Sequence, residues 1–225
     1  MYVAEQFQMP GADARNMVQT SRYGNLVTVA PDGRPVATFL PWAFAPDPDR
    51  LLTHVARVNT QWTHVNGPAL VVFDGLHGPV EADWKAGFDI GQSSPGLDYE
   101  AVHVWGELVA SDDPAAIFDS WDRLIVAHET KPRTAEMDQD WLARLAKATI
   151  AVEVRITEVQ AKSKLSQAQC PADIRHIADQ TELTCPALAA RIREVALPYA
   201  ERREALVAGA RQSGGYTMRG TKTND

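Results

Sequence analysis

The order of apolar and polar residues along the chain predicts a β-rich body. Strict alternation is typical of a half-buried strand, and a short continuous apolar run is typical of a buried one. The first two stretches flank residues 31–33, where an Asp-Gly pair supplies the backbone freedom of a hairpin turn. In the fifth stretch, His103, Trp105 and Glu107 alternate with apolar residues. The predicted strands are 25–30, 35–40, 51–56, 69–73, 101–109 and 150–159.

Helical patterns lie between and after these strands. Asp113 is suited to an N-cap and Pro114 to the first helical position, and apolar residues follow at helical spacing. Pro198 predicts a kink in the last helix, since proline removes a helical hydrogen bond. The predicted helices are 9–20, a stretch from 114, a short one near Trp141, 171–180 and 186–210.

Together these elements predict a mainly β (α+β) fold, a β-barrel with helical insertions and a C-terminal helical tail. We expect a barrel domain over residues 1–168 and a helical extension over 169–225. The polar, glycine-containing stretch 213–225 predicts a frayed end.

Composition and charge narrow the classes of function. The 225 residues are 45% hydrophobic and 23% charged, which is typical of a globular protein. Cys170 and Cys185 are too few for a disulfide framework or a four-cysteine zinc site. Residues 1–7 lack the features of a signal peptide, and no apolar run is long enough to span a membrane. We therefore expect a cytoplasmic protein.

The net charge of −7 is unevenly distributed. Residues 1–159 carry 12 basic and 22 acidic side chains, whereas residues 160–225 carry 10 basic and 7 acidic ones. An acidic body without a basic cluster argues against nucleic acid as a partner, because phosphate contacts need lysine and arginine. A small-molecule site is the better expectation.

Three segments could carry chemistry. In residues 54–64 a strand leads into a short helix capped by Asn59, and its free N–H groups with Arg57 suit an anion. A surface charge beside an ordinary cap is the alternative. Lys162, Lys164 and Ser166 alternate after the last strand and could hold an acidic cofactor tail, or could be a solvated strand end. His77, between glycines after a buried strand, is placed at a barrel rim.

Six motifs in this order resemble the PaiB family, whose members are described as FMN-binding negative transcriptional regulators. The resemblance covers roughly residues 1–168. It implies a split β-barrel of the flavin-reductase or pyridoxamine-oxidase type, and a homodimer with cofactor sites at the subunit interface. The motifs are 1–3 (MYV) with Phe7, 37–41 (ATFLP), 54–62 (HVARVNTQW), 72–77 (VFDGLH), 99–106 (YEAVHVWG) and 164–167 (KLSQ).

Two departures from the family pattern point to a different cofactor. Residues 94–99 stand where many relatives carry a Pro-Thr-Trp-aromatic stretch, and His64 follows the Gln-Trp pair. One branch of the family, the piperazate synthases, has exchanged flavin for haem. Resemblance to that branch implies haem b with His64 as axial ligand. The side chains expected to hold the cofactor are Thr38, Arg57, Asn59, Gln61, Trp62, Lys162, Lys164 and Ser166.

The haem branch implies a dehydrative cyclisation of an N-hydroxylated diamino acid, N5-hydroxy-L-ornithine, to L-piperazic acid. Iron would act as a Lewis acid on the N–O bond, and Glu107 or Lys164 would move the proton of the α-amino group. The alternative is an FMN-binding protein of the PaiB type, an oxidoreductase or a transcriptional regulator. A third hypothesis is an interaction protein with a vestigial pocket.

Overall fold

The computed structural model describes residues 1–46, 48–85 and 94–212. Every predicted strand is present, and a short third strand was not predicted. The predicted frayed end at 213–225 lies outside the described residues. The strands are β1 (Tyr23–Val29), β2 (Pro35–Pro41), β3 (Ala43–Ala45), β4 (Arg50–Ala56), β5 (Pro68–Val80), β6 (Gly96–Ser111) and β7 (Thr149–Lys164).

The predicted helices are confirmed as well. Asp113 Oδ1 accepts from the N–H of Ala115 at 3.1 Å, with Pro114 in the first turn, as the sequence predicts. The helices are α1 (Gly11–Thr20), α2 (Pro114–Ala127), α3 (Gln139–Lys147), α4 (Pro171–Glu182), α5 (Pro186–Arg191) and α6 (Leu197–Gln212). A π-helical turn, Ile192–Ala196, joins α5 to α6 just before Pro198. Helices often kink at such π-helical turns.

The strands form one seven-stranded sheet in the order β2-β1-β5-β6-β7-β4-β3. The predicted hairpin pairs β1 with β2 antiparallel, and Gly33 takes a positive φ of 83° in its turn. β4 pairs antiparallel with β3 and with β7. The predicted β-rich fold with helical insertions is confirmed.

Two predicted positions need correction because the strands are longer than their apolar patterns. His77 was expected beyond a strand, but β5 continues to Val80 and contains it. Lys162 and Lys164 were expected after the last strand, but β7 continues through Lys164. Glycine and charged residues interrupt the alternation there, while the backbone pairing that defines a strand does not depend on side-chain polarity.

The chain divides into two compact units. The first contains the described parts of 1–3, 8–75 and 100–162, and the second those of 4–7, 76–99 and 163–225. The predicted domain boundary at 168 stays a prediction. Trp42, Phe73 and Leu26 are among the fully buried side chains of the first unit. Ile174, Ile177 and Leu188 form the core of the second with their neighbours.

Within the described residues, no helix is both long and apolar enough to cross a membrane.

Candidate functional site

The loop after β4, in the first unit, is the segment that the sequence singled out. The backbone N–H of Arg57 donates to the carbonyl oxygen of Ala148 at 2.8 Å. Asn59 caps the helix as predicted, since its Oδ1 accepts from the N–H of Gln61 at 3.1 Å. The helix itself is a single 3₁₀ turn, Thr60–Thr63. So short a helix has little dipole, and one of its N–H groups is already bonded, so the expected anion site depends on Arg57 and stays a prediction.

Gln61 is the centre of a buried hydrogen-bond network and is 1% exposed. Its Nε2 donates to the carbonyl oxygens of Leu26 and Val36 at 3.0 and 3.1 Å, and lies 3.0 Å from Thr28 Oγ1. Its Oε1 accepts from Thr38 Oγ1 at 2.6 Å. The network ties the loop to β1 and β2, so Gln61 fixes the position of this segment.

Thr38 and Asn59, both expected to hold a cofactor, also belong to this network. Asn59 Nδ2 donates to Thr38 Oγ1 at 3.3 Å, and the Thr38 hydroxyl proton is donated to Gln61. The structure therefore brings these three predicted residues together. Their polar groups bond mainly to one another, which suits a role in shaping the loop.

His64 lies one residue beyond the 3₁₀ turn, as its C-cap, rather than on the helix where the sequence placed it. Its ring nitrogen Nδ1 is 2.9 Å from Thr28 Oγ1. Within the part of the chain that the structure describes, this is the one hydrogen bond of the ring, and the other nitrogen, Nε2, is left for a ligand. A metal-binding histidine usually makes such a second contact through its remaining nitrogen.

Arg57 and Trp62 support each other across the loop. Trp62 Nε1 donates to the carbonyl oxygen of Arg57 at 3.0 Å, and Arg57 Nε donates to that of Lys147 at 2.8 Å. Arg57 Nη1 lies 3.6 Å from Asp112, whose side chain is 73% exposed. Because an exposed ion pair is weak, an anionic ligand can replace Asp112 at little cost. This donor set fits the phosphate or carboxylate of a cofactor.

The second unit holds Lys164 and Ser166, together with an acidic residue that sequence reasoning missed. Asp98 is 1% exposed, and Ser166 Oγ donates to its Oδ2 at 2.8 Å. Burial raises the pKa of the Asp98 carboxyl to about 6, although Ser166 and the charges of Lys164 and Lys85 act in the opposite direction. Lys164 Nζ also donates to the carbonyl oxygen of Leu97.

A small cavity of about 100 Å³ adjoins this group in the second unit. Ser166 adopts a left-handed backbone with φ of 63°, which is costly for a residue other than glycine. Arg203 of α6 holds the turn by donating to the carbonyl oxygens of Gln167 and Gln169 at 2.8 and 2.6 Å. One sequence signal could have found Asp98. In β6 its side chain lies on the same face as the buried Val102, so the alternation of the strand predicts a buried carboxyl.

The remaining predicted residues make other contacts. Lys162, in the first unit, donates to the carbonyl oxygen of Tyr2 at 3.2 Å. Glu107 is exposed on β6. Burial lowers the pKa of both His54 and His103, and the Nδ1 atom of each is buried without a hydrogen-bond partner in the described part of the chain. Among the described residues, no three His, Cys, Asp or Glu side chains form a group that could hold a metal ion.

Comparison with known proteins identifies the class. The seven-stranded sheet with helical insertions has the split-barrel fold. The flavocytochrome Anf3 from Azotobacter vinelandii has a TM-score of 0.50 at 12% identity, over 68% of this chain and 67% of that one. A conserved hypothetical protein from Mycobacterium tuberculosis has a TM-score of 0.51 at 13% identity, over 73% and 91%. At these identities the likeness establishes the fold alone.

The family follows from the sequence match. The family described as "Putative FMN-binding domain" matches residues 1–158, and the chain belongs to it. Protease synthase and sporulation protein PAI 2 of Bacillus subtilis (strain 168) is 26% identical over 190 residues, which are 81% of this chain and 89% of that protein. The resemblance to the PaiB family is thereby confirmed.

Proposed function

We propose that this chain is an FMN-binding flavoprotein of the PaiB type. The observation that carries the proposal is the family match over residues 1–158, which includes the loop with Arg57 and Trp62. Arg57 supports it because its guanidinium is partly exposed and its ion-pair partner is weakly held. In this proposal Arg57 binds the FMN phosphate, and Trp62 fixes Arg57 by its hydrogen bond.

The remaining parts of the proposal concern the other predicted residues. Bound FMN supplies electron-transfer chemistry, and an oxidoreductase is the activity that this implies. Lys162, Lys164 and Ser166 are proposed to contact the cofactor, and Glu107 and Lys164 to move protons. Thr38, Asn59 and Gln61 are proposed to shape the loop. We further propose a homodimer, which size-exclusion chromatography with light scattering tests directly.

The test is the absorption spectrum of the purified protein, followed by titration of the cofactor-free protein with FMN. We expect flavin absorption and tight binding, and Arg57→Ala weakens FMN binding at least tenfold, because charge-assisted phosphate contacts contribute about 1.5–3 kcal/mol. Arg34→Ala is the control, since Arg34 is exposed in the β1–β2 turn and its side chain bonds only to Asp32 among the described residues. Absence of FMN binding, or an equal loss in both variants, overturns the proposal.

Haem is the second candidate, favoured by the geometry of His64. With Nδ1 held by Thr28, His64 would hold the iron of a haem through its Nε2 atom, and the iron would supply Lewis-acid chemistry. The proposed reaction is then that of piperazate synthase, the dehydrative closure of N5-hydroxy-L-ornithine. A flavin-reductase assay and a cyclisation assay separate the two activities.

The spectrum also separates the two cofactors. A Soret band that shifts on adding cyanide supports haem, and a flavin released by heating excludes it as the resident cofactor. For haem, His64→Ala abolishes retention of the cofactor, whereas His176→Ala, at an exposed position on α4, leaves it unchanged. Haem retained by His64→Ala removes the ligand assignment.

A further inference from the structure

A cleft of about 270 Å³ opens on the exposed face of β1 and β2, and all of its lining residues belong to the first unit. The register of the two strands places Asn25 opposite Phe39. Tyr23 shares this face with Asn25 because side chains alternate along a strand, and Asp74 of β5 also lines the cleft. Thr38 precedes Phe39 in β2, so it points to the opposite face and the cleft is separate from the network around it.

The two aromatic rings of the cleft stack on each other and remain exposed. The ring centroids of Tyr23 and Phe39 are 5.9 Å apart, with an angle of 19° between the planes. Tyr23 is 55% exposed and Phe39 is 66% exposed. Aromatic rings prefer offset stacking, and an exposed pair offers this contact to a further ring. The cleft therefore favours a ligand with a planar aromatic group.

Arg22 supplies a positive charge to the cleft. Its side chain is 46% exposed, and its Nη2 lies 3.3 Å from a carboxylate oxygen of Glu129, whose side chain is 79% exposed. Because an exposed ion pair is weak, a carboxylate in the cleft can replace Glu129 at little cost. A guanidinium can bind a carboxylate through two parallel hydrogen bonds, so Arg22 is suited to this group.

Asp74 supplies a negative charge that the fold does not use. It is exposed, and within the described part of the chain its carboxylate makes no hydrogen bond or ion pair, with Arg22 or with any other residue. Burial and the charge of the N-terminus lower the pKa of His103, against the effect of Asp74, so this ring does not become a cation for it near neutral pH. The cleft thus presents one cation and one anion that do not neutralise each other.

We propose that this cleft binds an aromatic α-amino acid in its zwitterionic form. Arg22 binds the carboxylate of the ligand, and Asp74 accepts hydrogen bonds from its ammonium group. The planar side chain of the ligand stacks on the rings of the cleft. FMN is not the expected occupant, because it carries no cation for Asp74.

The first experiment compares three probes by isothermal titration calorimetry on the full chain at neutral pH. L-Tryptophan carries both charges, indole-3-propionate lacks the ammonium group, and tryptamine lacks the carboxylate. We expect L-tryptophan to bind and each of the other two to bind about tenfold more weakly, because each loses a hydrogen-bonded ion pair. Equal binding of the three probes overturns the proposal, and so does absence of L-tryptophan binding.

The second experiment assigns each charge of the ligand to its residue. Arg22→Ala weakens the binding of L-tryptophan and indole-3-propionate about tenfold and leaves that of tryptamine unchanged. Asp74→Asn weakens the binding of L-tryptophan and tryptamine and leaves that of indole-3-propionate unchanged. Arg34→Ala, in the β1–β2 turn, is the control and changes none of the three affinities. A loss that does not depend on the probe contradicts the assigned ion pairs and overturns the proposal.

The third experiment separates this site from an interface between two copies. Phe39→Ala removes one of the stacked rings, and we expect it to weaken the binding of all three probes without changing the molar mass measured by light scattering. If Phe39→Ala converts a dimer to a monomer, the rings contact a second copy and the proposal is wrong. FMN binding is unchanged by Arg22→Ala and Asp74→Asn, which keeps the outcome separate from that of the proposed function.

Discussion

The imidazole Nδ1 of His64 lies 2.9 Å from the hydroxyl oxygen of Thr28, 36 residues earlier in the chain. The same hydroxyl accepts from Gln61 Nε2 at 3.0 Å. One side chain of β1 therefore orients the residue that could ligate a metal and anchors the loop that precedes it. In the haem proposal, Thr28 would be the positioning residue of His64.

The first prediction concerns the Thr28 hydroxyl. Thr28→Val keeps the shape of a side chain that is 2% exposed and removes its oxygen, so the His64 ring and Gln61 each lose a contact. We expect the free energy of unfolding to fall by about 1–3 kcal/mol. Urea denaturation measures it. Thr28→Ser, which retains the oxygen, loses less stability than Thr28→Val, and the reverse order contradicts the assigned hydrogen bonds.

The second prediction concerns the amide of Gln61. Gln61→Leu leaves the carbonyl oxygens of Leu26 and Val36 without this donor in a buried place, and we expect a loss of about 3 kcal/mol. The control is Gln19→Leu on the exposed face of α1, where the change stays within about 0.5 kcal/mol. Chemical denaturation of both variants provides the comparison. A loss for Gln61→Leu as small as the control value would show that the network does not stabilise the fold.

Local patterns predicted the elements, but not which distant side chains bond to one another within each unit. The alternation of β6 correctly predicted that Val102 and Val104 are buried, because side-chain direction in a strand depends only on position. The pairs Thr28–His64 and Asp98–Ser166 join residues that are 36 and 68 positions apart. Such contacts depend on strand register and loop conformation, which local periodicity does not determine.

The limits of the pattern also explain the missed strand and the misplaced lysines. β3 has three residues, Ala43–Ala45, which is too short for an alternation to be recognised. β7 reaches Lys164 because its backbone continues to pair, although charged residues replace the apolar ones. In the segment 54–64 a short helix capped by Asn59 was predicted, and the structure shows a 3₁₀ turn with that cap; the expected binding of an anion there stays a prediction.

The third prediction concerns the close approach of β6 and β7 at Gly106. A Cβ atom there would lie 2.2 Å from the carbonyl oxygen of Arg155 and 2.6 Å from Val154 Cγ1. Because backbone atoms cannot give way locally, Gly106→Ala forces the strands apart, and we expect a loss of at least about 3 kcal/mol or failure to fold. Circular dichroism during thermal unfolding measures the effect.

Gly11→Ala is the control for the third prediction. Its added Cβ meets no atom within 4 Å, and alanine favours the start of α1. We expect its midpoint of thermal unfolding to equal or exceed that of the unaltered chain. If Gly106→Ala were as stable as Gly11→Ala, the close contact of the two strands would be wrong.

The last prediction follows from the buried carboxyl of Asp98. Its pKa in the folded chain is about 6, against an ordinary value of 3.8, because burial disfavours the charged form. As the pH rises, the carboxyl of the unfolded chain loses its proton at a lower pH than the carboxyl of the folded chain. Between these two pKa values the folded state therefore binds more protons than the unfolded state. The contribution of Asp98 to stability is therefore fully present below about pH 4 and is lost as the pH rises through about 6.

Asp98→Asn tests this dependence, since its Oδ1 can still accept from Ser166 and it carries no charge. At pH 8 we expect the variant to be more stable than the unaltered chain by about 3 kcal/mol, as a shift of one pKa unit corresponds to about 1.4 kcal/mol. At pH 4 the advantage disappears, because Asp98 is then protonated in the folded chain.

Asp173→Asn, on the exposed first turn of α4, is unsuitable as a control because it removes charge near the helix start. Asp32→Asn in the β1–β2 turn serves instead, and urea unfolding at both pH values should show no comparable gain at pH 8. An equal effect of Asp98→Asn at pH 4 and pH 8 would mean that the carboxyl does not titrate in this interval.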